Sequence, residues 1–263
     1  MLIFCVFSQA VFVLYFCSMK PTLNITLPTC WQELSETQLR YVYFLLSTEQ
    51  YAPAQVQTLV LFRWAHIEVL SPEGDGYFVR YEGKPYHLTA KQITEVLPSL
   101  SWLNRLPTYP VRLSSIDGHK PIVDADLHGL SFEAYIICDN LYQGYLHTQN
   151  KELLGSMAAT LYGADNIKLM PEEYISIFYW FASAKECMAR RFTHFFHTAP
   201  VSSGNSNLQK ELQELMDAQI RALTKGDITK EATVLKMNVW RALTELDAQA
   251  ADAEEIKRQM HQV

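Results

Sequence analysis

The stretch PEEYISIFYWFASAKECMARRFTHFF, residues 171–196, constrains the fold more than any other part of the chain. Within it Ile177, Phe181, Ala184, Met188, Phe192 and Phe195 recur at steps of 4, 3, 4, 4 and 3 residues. Such steps stack side chains on one side of an α-helix, so the spacing predicts one long helix with a continuous buried face. Pro171 suits the first turn, where its missing N–H is not needed. Glu172 and Glu173 at the start, with Arg190, Arg191 and the histidines near the end, match the helix dipole. A face this apolar must be covered by other elements. With 49% hydrophobic and 19% charged residues, the chain has the material for a core.

The remaining punctuation predicts further helices and one hairpin. Ser35 followed by Gln38 reads as a capping box ahead of LRYVYFLLS. Pro53 opens a second helix. SPEGDG at 71–76 reads as a turn cluster. The run 77–89 alternates around Glu82-Gly83-Lys84, which predicts a hairpin over 77–88. Thr89 caps a following helix, 104–130 reads as loop with short extended pieces, and Ser131 starts another helix with Glu133 close behind. A shorter helix is expected at about 150–161.

TAPVSSGNSN, beginning at Thr198, is small, polar and broken by Pro and Gly. We read 199–206 as a linker. Beyond it Trp240 is the one aromatic residue. Leu208, Leu212, Leu215, Gln219 and Leu223 form one stripe, and Leu235, Val239, Leu243, Leu246 and Ala250 another. Between them GDITKEATVL reads as a helix stop and start: Lys225 and Gly226 end one helix, and Asp227 or Thr229 caps the next. A phosphate-cradling loop would need more glycines before a Lys-Ser or Lys-Thr pair. The expected fold class is mainly α with a small β-hairpin (α+β). A helical domain over 19–198 is followed by a helical hairpin tail over 207–263.

The first eighteen residues carry no charge. They lack a basic start and a small-x-small cleavage site, and Ser8 and Gln9 interrupt them. They are open to three readings: a non-native upstream extension ahead of Met19, a membrane anchor or uncleaved signal, or a segment packed in the fold. Five scattered cysteines without a CxxC pair argue for reduced thiols in a cytoplasmic setting. The net charge of −6 disfavours bulk affinity for nucleic acid.

Residues with chemical potential are few. Asp117, His119, Asp124, Asp126 and His128 gather in DGHKPIVDADLHG, and Asp124, Asp126 and His128 would share one face of an extended chain. These three are weak metal-ligand candidates, since the spacing matches no established ligand motif. His194 and His197 share a helix face but suit a helix C-terminus equally well. ARRFTHFFH mixes basic and aromatic residues, yet its Phe spacing is what core burial requires. No GxSxG elbow occurs, and Cys138 and Cys187 sit in apolar helices, where cysteine is usually a small core residue. No cofactor is expected. The tail is different: its narrow stripes hide little surface on their own, so they need a partner, a second copy or the chain's own body. The expected partner-binding residues are Leu235, Val239, Trp240, Leu243 and Leu246, with Trp240 as the main anchor.

LSETQLRYVYFLLS, PVRLSSIDG, LHGLSFEAYIICDNLYQGYLHT, IFYWFASAKECMARRFTHFF and GDITKEATVLKMNVWRALTELDAQA together resemble uncharacterised proteins encoded in prophage-like regions of gut bacteria, near tail or other virion-assembly genes. The resemblance spans roughly residues 27–250 and carries no catalytic motif. It implies a non-enzymatic virion component or chaperone-like tail-assembly helper that binds another phage protein or itself. The alternative is a nucleic-acid-processing or metal-dependent enzyme of a mobile element, using the 117–128 loop.

Overall fold

The structure, a computed structural model, describes residues 10–14, 23–197 and 208–261. The chain is mainly helical with a small antiparallel sheet, as the punctuation predicts. Its contacts divide it into two compact units: Met1–Pro107 with Pro171–Ile175, and Thr108–Met170 with Ser176–Val263.

In the first unit, β1 (Ala10–Leu14) pairs antiparallel with β2 (Leu23–Leu27). The strand β1 thus falls inside the uncharged opening stretch. The rest of 1–18 lies outside the described residues. Helix α1 (Glu36–Ser47) starts at the expected box, with the Ser35 oxygen accepting from the Gln38 N–H at 3.3 Å and the Gln38 oxygen accepting from the Ser35 N–H at 2.9 Å. Helix α2 (Pro53–Trp64) carries Pro53 in its first turn. Leu39, Val42 and Tyr43 of α1 and Val56, Val60 and Leu61 of α2 are buried. Trp31 stacks on Tyr43 with ring centres 5.9 Å apart and meets Trp102 edge-on at 5.6 Å, an arrangement aromatic quadrupoles favour.

The sheet has three strands: β3 (Glu68–Glu73), β4 (Gly76–Tyr81) and β5 (Lys84–Thr89). The expected hairpin is β4–β5, with Tyr81 opposite Lys84 and both turn residues, Glu82 (φ 48°) and Gly83 (φ 75°), left-handed, as a tight two-residue turn requires. Residues 71–73, read as turn, instead belong to β3. Every β3 residue is exposed, so no alternation marks it, and Pro72 and a bulge between Val69 and Ser71 disguise it further. Gly76 is required: a Cβ there would lie 2.1 Å from the Leu88 carbonyl oxygen. Thr89 caps α3 (Ala90–Val96), which continues as a 3-10 helix, Leu97–Asn104.

In the second unit, α4 (Phe132–Thr148) and α5 (Lys151–Tyr162) pack against each other after Ser131 and Asn150 cap them. Helix α6 (Pro171–Arg191) supplies the long face, with Ile177, Phe181, Ala184, Met188 and Phe192 all buried. The run does not stay one helix. It breaks at Phe192 into α7 (Thr193–His197), because the Phe195 N–H donates to the Asp247 carboxylate at 2.9 Å instead of to the preceding turn. Phe195 is accordingly only half-buried.

The tail comprises α8 (Leu208–Thr224), a 3-10 turn Ile228–Lys230, α9 (Glu231–Leu235) and α10 (Val239–His261). Lys225 (φ 54°) and Gly226 (φ 81°) are both left-handed, and Asp227 accepts from the Thr229 N–H at 3.1 Å. The stop-and-start reading therefore holds. A plain hairpin does not form, because the chain leaves the helix between Leu235 and Val239, where Met237 and Val239 bond Phe132 and Leu130. The division expected at 199–206 is likewise not the one the contacts draw: the tail groups with 108–170. The linker itself lies outside the described residues. Among the described residues no helix is long and apolar enough to cross a membrane.

Gly76→Ala forces strand β4 away from Leu88 and is expected to cost about 1–3 kcal/mol, the usual penalty for overpacking, measured by urea unfolding. An unchanged midpoint contradicts the close approach.

Candidate functional site

The two groups of candidate residues, far apart in sequence, meet in the second unit. The loop before α4 folds back on itself: the Leu127 N–H donates to the Asp124 carbonyl at 2.9 Å, and the Asp124 N–H to the His128 carbonyl at 3.1 Å. Leu127 is fully buried and left-handed (φ 66°), a conformation a branched side chain adopts only where its surroundings hold it. Two tryptophans supply the hold. The Trp180 Nε1–H donates to the Ala125 carbonyl at 2.6 Å, and the Trp240 Nε1–H to the Asp126 carbonyl at 2.9 Å. Arg112 completes the frame. Its guanidinium donates to the Val123 carbonyl and lies 5.0 Å from the Trp180 ring centre. Burial lowers the Arg112 pKa, opposed by Tyr162 and by the Asp124 and Asp126 carboxylates.

Asp126 and His128 pair with each other. His128 Nδ1 lies 2.8 Å from an Asp126 carboxylate oxygen, and the His128 backbone N–H donates to the other oxygen at 3.1 Å. The imidazole lies flat on the Trp240 indole, with ring centres 4.6 Å apart and planes 14° apart. An Asp–His pair orients an imidazole for proton transfer when a nucleophile faces it. Among the described residues no Ser, Thr or Cys side chain bonds to His128, and the ring face is occupied by Trp240. Nor do three His, Cys, Asp or Glu side chains converge in a way that would hold a metal ion. Asp124, Asp126 and His128 are thus brought close in the chain but not together as ligands, because the loop turns tightly instead of extending.

The tail residues expected at a partner surface turn inward. Val239 and Leu243 are 0% exposed and Leu246 5%, while Leu235 and Trp240 are half-buried. The expectation that these five are exposed is corrected. The reason lies in the backbone: the Phe132 N–H donates to the Met237 carbonyl at 2.7 Å and the Val239 N–H to the Leu130 carbonyl at 3.0 Å. The Asn238 side chain then caps α10 by accepting from the Trp240 N–H at 2.9 Å. These bonds lock the first turn of α10 onto the chain's own loop, and Val234 and Ala242, outside the expected stripe, are buried with it.

Beyond Ala250 the apolar residues of α10 leave the Leu243 face: Ile256, thirteen residues on from Leu243, stands about 140° round the helix from it. Ile256 and Met260, four residues apart, share a face of their own. Past Glu254, which reaches His194 at 3.0 Å, residues 255–260 are all exposed. Ile256 is 53% exposed and Met260 71%. The four-residue spacing of Ile256 and Met260 was the available signal for this second apolar face. Cys138 is buried and its thiol is pushed up to about 12, chiefly by desolvation, so it stays a neutral core group; Cys187 is half-buried.

In comparisons with protein-family models, curated proteins and solved structures, nothing matches the chain.

Trp240→Ala removes the stack and the Asp126 bond together and is expected to destabilise the second unit by roughly 3 kcal/mol, read by urea unfolding. A fully stable variant contradicts the clamp. At pH 8 a thiol-specific reagent is expected to label Cys138 only as fast as the protein unfolds. Rapid labelling of the folded protein sinks that assignment.

Proposed function

We propose that this is a non-enzymatic assembly protein of phage or prophage type, a structural component or chaperone-like helper, that works by protein–protein contact through the free end of its C-terminal helix. What supports the reading is a contrast between the two ends of α10. Leu243 is 0% exposed, whereas Ile256 and Met260, a pair four residues apart on another face of the same helix, are 53% and 71% exposed. An exposed apolar pair one helical turn apart is suited to a groove or a second helix, where residues at such steps serve as anchors. Glu255, Lys257 and Arg258 flank it and give a polar rim that can select partner and direction. The resemblance to uncharacterised proteins encoded in prophage-like regions near assembly genes supplies the biological setting, and a cytoplasmic location belongs to the same reading.

The docking residues differ from those the composition of the tail suggests. Val239, Leu243 and Leu246 hold the fold, and Ile256 and Met260 meet the partner. The competing reading, a metal-dependent enzyme built on the 117–128 loop, has less to rest on. Asp126 and His128 are committed to each other and to Trp240, and the Asp117 carboxylate accepts from the Lys168 N–H at 3.1 Å.

A photo-crosslinking residue at position 256, introduced in cells that also express the neighbouring genes, is expected to give one discrete adduct. Adding Met260→Glu should abolish that adduct and leave the thermal midpoint within about 1 °C, since surface changes away from special features are nearly neutral. No adduct, or an adduct indifferent to Met260→Glu, overturns the reading.

A further inference from the structure

The first unit holds a cavity of about 630 Å³, within the range of small-molecule sites. It is lined by the start of α1 (Ser35, Thr37, Gln38, Tyr41), the end of α2 (Phe62, Arg63, Trp64), and His66, Ile67 and Glu68 leading into β3. Phe62, Trp64 and Ile67 are buried and form an apolar wall. The polar groups divide into committed and free. Ser35 and Gln38 satisfy each other in the capping box. Glu68 is paired with Arg80 at 2.7 Å, and Glu36 beside the cavity is paired with Arg40 at 3.2 Å. Arg63 and His66 have no carboxylate partner among the described residues. The Arg63 guanidinium lies only over the Tyr41 ring, 5.4 Å from its centre. Tyr41 keeps its hydroxyl proton: burial raises its pKa, against the opposing pull of Arg63.

Two further details point the same way. His66 sits just past the end of α2 in the left-handed region (φ 54°), a position where Gly or Asn would be less strained. A histidine there is costly to the turn, and it brings an imidazole to the lining that also holds Arg63. The Trp64 Nε1–H is buried and has no acceptor among the described residues. The lining therefore sets two nitrogen-bearing side chains without a carboxylate partner among the described residues, Arg63 and His66, against a greasy wall. Groups of this kind recognise an anionic oxygen head on an apolar body.

We infer that the cavity between α1 and α2 binds a small aromatic or similarly flat apolar carboxylate, its head held by Arg63 and His66 and its body against Phe62 and Ile67. This site is separate from the α10 surface and does not depend on it.

The test is calorimetric titration of the full chain with 2-naphthoate, against the neutral 2-naphthalenemethanol and inorganic phosphate. Arg63→Gln and His66→Asn are measured beside the unaltered protein. One saturable site is expected for naphthoate, weakened by about tenfold or more in each variant, the usual loss for a charge-assisted bond. His66→Asn should at the same time raise the thermal midpoint, because asparagine tolerates the left-handed turn better. That separates lost binding from lost folding. The inference is overturned if naphthoate does not saturate, if the alcohol or phosphate binds as tightly, or if both variants bind normally.

Discussion

Two indole N–H groups hold one loop in place, and the second unit is organised around that grip. Trp180 of α6 reaches the Ala125 carbonyl and Trp240 of α10 reaches the Asp126 carbonyl. Each bond contributes only about 1 kcal/mol net, but each also satisfies a carbonyl in a loop that turns too tightly to bond itself fully. With the loop fixed, Leu127 is buried in its left-handed turn, and residues 130–132 are presented to Met237 and Val239. The tail is thereby stitched into the body, and the break between α9 and α10 becomes a bonded junction instead of a hinge.

That grip also decides what the reactive-looking residues do. Asp126 and His128 would be a plausible proton-transfer pair in another setting. Here the imidazole lies on Trp240 and its Nδ1 faces Asp126, which extends the clamp sideways by a stacking contact worth about 0.5–1.5 kcal/mol. The apolar residues of α10 are spent in two ways. Those up to Leu246 close the core, and those past Glu254 stand clear of it. One helix thus links a packed interior to an outward apolar end.

Much of the fold was legible because the deciding signals are local. Ser35 with Gln38, Pro53, Thr89, Ser131 and Lys225-Gly226 act through neighbours within a turn, and each starts or ends a helix as its chemistry requires. The long face of α6 was legible because periodicity survives any packing partner. What was hidden depends on residues distant in sequence. Strand β3 shows no alternation because neither of its faces is buried. The break at Phe192 follows from Asp247, and the inward turn of Leu243 from Leu130 and Phe132. The candidate site was half visible for the same reason. Loop 124–128 and the stripe containing Trp240 could each be singled out, but a spacing rule cannot say that an indole covers a histidine over a hundred residues away. The cavity beside Tyr41 carries no motif at all, since its lining comes from the ends of two helices and a turn.

Native-state hydrogen exchange tests the central claim, that the start of α10 belongs to the core and its end does not. The amides of Phe132, Val239 and Leu243 are expected to exchange together, only through global unfolding of the second unit, while those of 255–260 exchange orders of magnitude faster. If 239–246 exchanges as readily as 255–260, the tail is not clamped to the body and the account is wrong.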